Sequence, residues 1–125
     1  MRILTAAAVA AMLLAAAPAM AKPIVDGGVT AKEVADVLLA EGYRAEVTKD
    51  DVGDPMIISG AQGKTFNCVF YGCNKGERCA IYQFFAGFDI EKSPGRAKVN
   101  SWNRERRFGR VFLDDEQDPI IQMDV

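Results

Sequence analysis

The run from Phe66 to Phe88 constrains this chain more than any other stretch. Its residues, FNCVFYGCNKGERCAIYQFFAGF, include seven of the chain's eleven aromatics and all three cysteines. Two apolar, β-favouring segments flank the polar loop Asn74 to Arg78, which predicts a hairpin. Alternate side chains of a strand point to opposite faces. Asn67, Val69, Tyr71 and Cys73 should therefore share one face, and Phe66, Cys68 and Phe70 the other. Setting Cys73 opposite Cys79 makes Phe70 face Tyr82, Cys68 face Phe84 and Phe66 face Ala86. This register collects the aromatics and Cys68 on one side, the expected core. Cys68 then points away from Cys73 and lies too near along its own strand, so Cys73–Cys79 is the favoured disulfide. A closed loop of about seven residues contributes only roughly 2 kcal/mol, so the bridge is expected as a staple for the hairpin. Cys68 would be left as a small buried apolar residue; joining two chains is the other use of an odd cysteine.

The N-terminus reads as an export signal. Met1-Arg2 supplies a positive start, Ile3 to Ala17 is an apolar run rich in Ala and Leu, and Ala19-Met20-Ala21 is a small-residue cleavage pattern. Residues 1–21 are expected to be removed, leaving residues 22–125 as one domain in the periplasm or outside the cell, where disulfides persist. No cysteine lies near the cleavage point to carry a lipid, and no membrane association is expected after cleavage. Without Arg2 the chain has 14 basic and 17 acidic residues, which argues against nucleic acid as a partner.

The clearest helix begins at Val29. Thr30 and Glu33 have capping-box spacing, Val29 and Val34 can form a hydrophobic staple, and Gly42 is placed to end the helix before Tyr43. Val34, Ala35, Leu38 and Leu39 give its apolar face. Strands follow at Tyr43 to Thr48, Met56 to Ser59 and Thr65 onward. Ser93 and Pro94 open a second helix to about Arg104, with Val99 and Trp102 on one face. Arg107 to Leu113 and Ile120 to Val125 then read as strands about the acidic turn Asp114 to Pro119, with Phe108 and Phe112 sharing a face. No internal repeat stands out after residue 21. These elements predict an α+β fold: a single antiparallel sheet of about five to six strands with two helices packed on it.

No cofactor motif is present, and chemistry has few places to reside. Histidine is absent, which removes the usual nucleophilic triads and the commonest zinc ligand. Cysteines at C-x4-C-x5-C do not match a zinc knuckle, and catalytic dithiols usually stand at C-x-x-C opening a helix. The acidic turns Asp50, Asp51, Asp54 and Asp114, Asp115, Glu116, Asp118 lack calcium-loop spacing. Between Lys92 and Arg110 stand seven basic residues and one acidic residue, Glu105. Trp102 with Arg104, Arg106 and Arg107 is the best candidate surface for a partner, and Arg106 and Arg107 could also neutralise the acidic turns.

From Val99 onward the sequence resembles a known family. Asn100-Ser101-Trp102-Asn103, Arg107-Phe108, Asp118-Pro119 and Met123-Asp124-Val125 are similar in order and spacing to the YbjN-domain family of bacterial sensory transduction regulators. Asp54-Pro55-Met56-Ile57, Gly63-Lys64-Thr65-Phe66 and Tyr71-Gly72-Cys73 through Cys79 resemble its exported, cysteine-bearing members. The resemblance implies a fold like that of type III secretion chaperones, which bind proteins and catalyse nothing. It also implies a C-terminal helix, whereas this sequence stops at a strand: either the sequence is cut short at Val125 or this member lacks the helix, and in the second case one side of the sheet would offer an apolar surface for dimerisation or a ligand. The expectation is a non-enzymatic protein-binding or regulatory module of the cell envelope with a protein partner, a homodimer being one form that partnership could take. Binding of a small anionic envelope ligand is the alternative, and a thiol- or metal-dependent enzyme a further one.

Overall fold

The computed structural model describes residues 27–125; the expected signal peptide lies outside the described residues. The chain begins with a two-residue strand β1 (Val29–Thr30) and runs directly into helix α1 (Ala31–Ala40). Strands β2 (Arg44–Lys49), β3 (Pro55–Ala61), β4 (Lys64–Asn74) and β5 (Arg78–Gly87) follow, then helix α2 (Gly95–Glu105) and strands β6 (Arg110–Leu113) and β7 (Pro119–Asp124). All seven strands join one antiparallel sheet in the order β2-β3-β4-β5-β7-β6, with β1 paired to β5. The α+β class is as the sequence implies, and the sheet has seven strands rather than five or six.

Local chemistry sets the ends of α1. The Glu33 amide donates to Thr30 Oγ1 at 3.1 Å, and the Thr30 amide donates to Glu33 Oε2 at 2.9 Å, completing the capping box. At the other end Gly42 adopts φ +85°, and Gly42 and Tyr43 donate to the carbonyls of Leu39 and Leu38. That is a Schellman closure, which requires a left-handed residue at Gly42. The second helix starts one residue later than expected: Ser93 Oγ accepts from the Gly95 amide at 3.3 Å, and Pro94 occupies the cap.

The hairpin has the register inferred from its sequence. Cys68 faces Phe84, Phe70 faces Tyr82 and Cys73 faces Cys79. Ala31, Val34, Ala35 and Leu38 of α1 pack on Ile57, Cys68, Phe70 and Cys79 to form the core. Phe66, Tyr82 and Phe84 close its side in edge-on and stacked ring contacts of 5.9 Å.

Strand parity misplaces the bridge. Cys73 and Cys79 are joined by a disulfide, yet Cys79 is fully buried in the same cluster as Cys68, and Cys73 packs against it. Gly72, at φ +61°, resets the alternation of β4. Tyr71 and Gly72 are consequently both exposed, as are Ala80 and Ile81 opposite them. β1 pairs alongside this end of β5, with Val29 opposite Cys79, and Arg78 donates to the Gly28 carbonyl. The disulfide is therefore part of the floor beneath α1.

The structure also shows an internal duplication where the sequence reading finds no repeat. α1-β2-β3 and α2-β6-β7 coincide at a step of 64 residues. Ala31 and Gly95 open the helices, Asp50 and Asp114 the turns, and Pro55 and Pro119 the inner strands. The turns Asp50-Asp51-Val52-Gly53-Asp54-Pro55 and Asp114-Asp115-Glu116-Gln117-Asp118-Pro119 carry the same bonds. In each the first Asp carboxylate accepts from the amides two and four residues on, at 2.8–3.0 Å. The first Asp amide also donates to the fifth residue's carbonyl, at 2.9 and 3.0 Å. Strand register repeats too, since Val47 pairs with Ile57 and Val111 with Ile121. Few side chains match outside the turns, which is why the duplication is hidden from sequence. The two units flank the β4–β5 hairpin, each with its helix followed by an edge strand and an inner strand.

Candidate functional site

The row Val47, Ile57, Cys68, Phe84 and Met123 crosses the sheet by direct strand pairing. Its middle is covered by α1, whereas Phe84 and Met123 extend towards α2. There they meet Ala86 and Ile121, which pair with each other on the same face. Trp102 of α2 stands over these residues, and Arg106, Arg107, Phe108 and Gly109 form the lip. The result is an open groove of about 400 Å³ whose floor is aliphatic and aromatic.

Three features hold the groove in shape. Val99 buries the inner face of α2. Asn103 Nδ2 donates to the Val111 carbonyl at 2.9 Å, and the Val111 amide donates to Asn103 Oδ1 at 2.8 Å. This amide takes the place of a neighbouring strand at the β6 edge. Gly109 lets the Trp102 ring close: a Cβ there would stand 3.4 Å from the ring and 3.3 Å from the Gln122 carbonyl.

The lip separates the groove from a second hollow of about 360 Å³, bounded by Arg107 to Arg110 and by Gln122, Met123 and Asp124. Phe108 sits on the ridge between the two hollows and is 82% exposed. Sequence parity puts Phe108 in a strand; the strand starts only at Arg110, so Phe108 projects from a connecting turn.

Of the four residues nominated from sequence, Trp102, Arg106 and Arg107 converge on the groove. Arg104 does not line it and donates to Ser101 Oγ at 3.4 Å. Among the described residues Arg106 and Arg107 make no salt bridge; the ion pairs are Lys32–Asp36 and Arg78–Glu33. The acidic turns are closed on their own amides rather than neutralised by these arginines. Arg110 donates to Gln122 Oε1 at 3.0 Å. Sequence reasoning passes over Phe84, Phe108, Ile121 and Met123 as groove residues; the one signal for Phe108 was its place among arginines.

The remaining thiol is unlike a reactive one. Cys68 is fully buried, and desolvation pushes its pKa up to about 12, so it is protonated at neutral pH and a poor nucleophile. Among the described residues no three Cys, Asp or Glu side chains gather as a metal-holding group.

These features define an α+β protein with one antiparallel sheet, two helices on one face and an open apolar groove between α2 and the sheet. The chain belongs to the YbjN family, whose model, described as "Putative bacterial sensory transduction regulator", matches residues 30–125. Comparison with curated proteins and with solved structures found no match.

Proposed function

We propose that this protein is a non-enzymatic regulatory module of the bacterial cell envelope that acts by binding a protein partner through the α2 groove. The observation that carries this reading is the pairing of an apolar floor with two arginines that have no ion pair among the described residues. Burying apolar area supplies the driving force for association, and the arginines select and orient an acidic partner. Trp102 and the arginines are residue types that dominate binding energy when they become fully covered, and Phe108 adds aromatic contact area. Export to the periplasm or beyond is supported by the Met1–Ala21 pattern and by the Cys73–Cys79 bridge.

A photo-crosslinking side chain at position 108 in the native host tests the proposal. The expected result is a discrete protein adduct that disappears with Arg106→Glu/Arg107→Glu and persists with Arg104→Glu, all variants remaining folded by circular dichroism. Absence of a protein adduct, or one indifferent to the double reversal, overturns the assignment.

A further inference from the structure

The duplication allows each half of the sheet to be compared with the other, and the two edges are finished differently. In the second half Asn103 satisfies the outward amide and carbonyl of Val111. Sixty-four residues earlier the same place in the helix holds Leu39, which has no group to offer.

Backbone phase shows what is left open. The Asp50 amide donates to the Asp54 carbonyl, so residues 48, 46 and 44 bond inward to β3. Residues 49, 47 and 45 present their amides and carbonyls to the free side. Val47 thus matches Val111, but among the described residues no hydrogen bond engages it. Beside this bare edge three apolar side chains stand exposed among the charged residues of β2: Leu39 is 53% exposed, Val47 50% and Tyr43 43%.

We propose that β2 is a homodimer interface in which the β2 strands of two copies pair antiparallel about a two-fold axis at Val47, joining two sheets into one. An amide already fills the equivalent slot at Val111, so the slot is shaped for a peptide group. Self-pairing is favoured by charge. A two-fold at Val47 sets Glu46 against Thr48, Ala45 against Lys49 and Arg44 against Asp50 of the other copy, with no like charges opposed. The α2 groove lacks this property, because self-association there would oppose Arg106 and Arg107 to their own mates. Leu39 and Val47 lie beside the axis and lose exposed apolar surface as the strands meet. The interface leaves the groove free, one per copy.

Sedimentation velocity on the mature chain provides the test, with two variants that close the edge differently. Leu39→Asn installs the clasp of the second unit, and Val47→Pro removes the outward amide without breaking a bond to β3. The wild type is expected to sediment as a dimer at tens of micromolar, and Leu39→Asn as a monomer with unchanged circular dichroism. Val47→Pro should do the same if it folds. Val47→Cys should give a disulfide-linked dimer on mild oxidation, whereas Val52→Cys, at an 83% exposed turn position away from the axis, should not. A monomeric wild type at hundreds of micromolar, or a dimer that survives Leu39→Asn and fails to crosslink at Val47→Cys, overturns the proposal.

Discussion

Replacing Asn103 by leucine, the residue found at the matching place in the first unit, should remove the clasp on β6 while keeping the same number and branching of side-chain heavy atoms. Two hydrogen bonds of 2.8 and 2.9 Å are lost, each with a net worth of about 1 kcal/mol. Because β6 is an edge, water replaces part of each bond, and the expected loss is about 1–2 kcal/mol. In a domain of this size that lowers the melting temperature by roughly 4–8 °C per kcal/mol. Urea unfolding should show a lower midpoint at constant slope. Hydrogen exchange should speed up at the Val111 amide but not at Phe112, which bonds inward to β7. Asn103→Asp makes an instructive intermediate, since a carboxylate can still accept from the Val111 amide but cannot donate to its carbonyl. A change below about 0.5 kcal/mol together with unaltered Val111 exchange would refute the view that a side-chain amide stands in for a strand.

Two further expectations concern the first unit and its core. Gly28→Ala should cost at least about 2 kcal/mol, since a Cβ there would lie 2.2 Å from the Cys79 carbonyl oxygen at a left-handed φ of +93°. Gly27→Ala, with a similar φ but nothing within 4 Å, isolates the backbone strain, and equal urea midpoints for the two variants would count against the close approach. Stability should also fall as pH rises above about 9. The Cys68 pKa is raised from 9.0 to about 12, so the folded state holds a proton that the unfolded state releases over that interval. The slope approaches about 1.4 kcal/mol per pH unit. Tyr82 is raised as well, by burial first and then by Cys68, and adds in the same direction. Cys68→Ala should flatten the curve measured by urea titration at successive pH values; an unchanged slope would contradict a buried neutral thiol.

Much of the fold is legible because its signals are short-range. The capping box at Thr30 and Glu33 and the stop at Gly42 depend on residues within a turn of each other, and α1 begins and ends as they imply. The β4–β5 register follows from one cysteine pairing and the two-residue period of a strand. That same period fails beyond Gly72, because a left-handed glycine reverses which face follows and no side chain announces it. Leu39 fails for a different reason. Its helical spacing marks it as apolar, but only the position of β2 decides whether the helix flank beside it is covered. Trp102, Arg106 and Arg107 were visible as a basic and aromatic cluster, whereas the groove floor was not, since Phe84 and Met123 come together through strand pairing across 39 residues of chain.

The sequence alone determined the ends of α1, the strand pairing of the central hairpin, the α+β class and the family. Each follows from neighbours along the chain or from one strand laid against the next. Tertiary structure alone decided that the disulfide floors the core, that two units separated by 64 residues repeat one plan, and that the groove lies between α2 and the sheet. It also decided that Asn103 closes one edge while Leu39 leaves the other bare. These depend on backbone groups and surfaces brought together from distant segments, where the satisfaction of an amide or the covering of a leucine is settled by the fold around it.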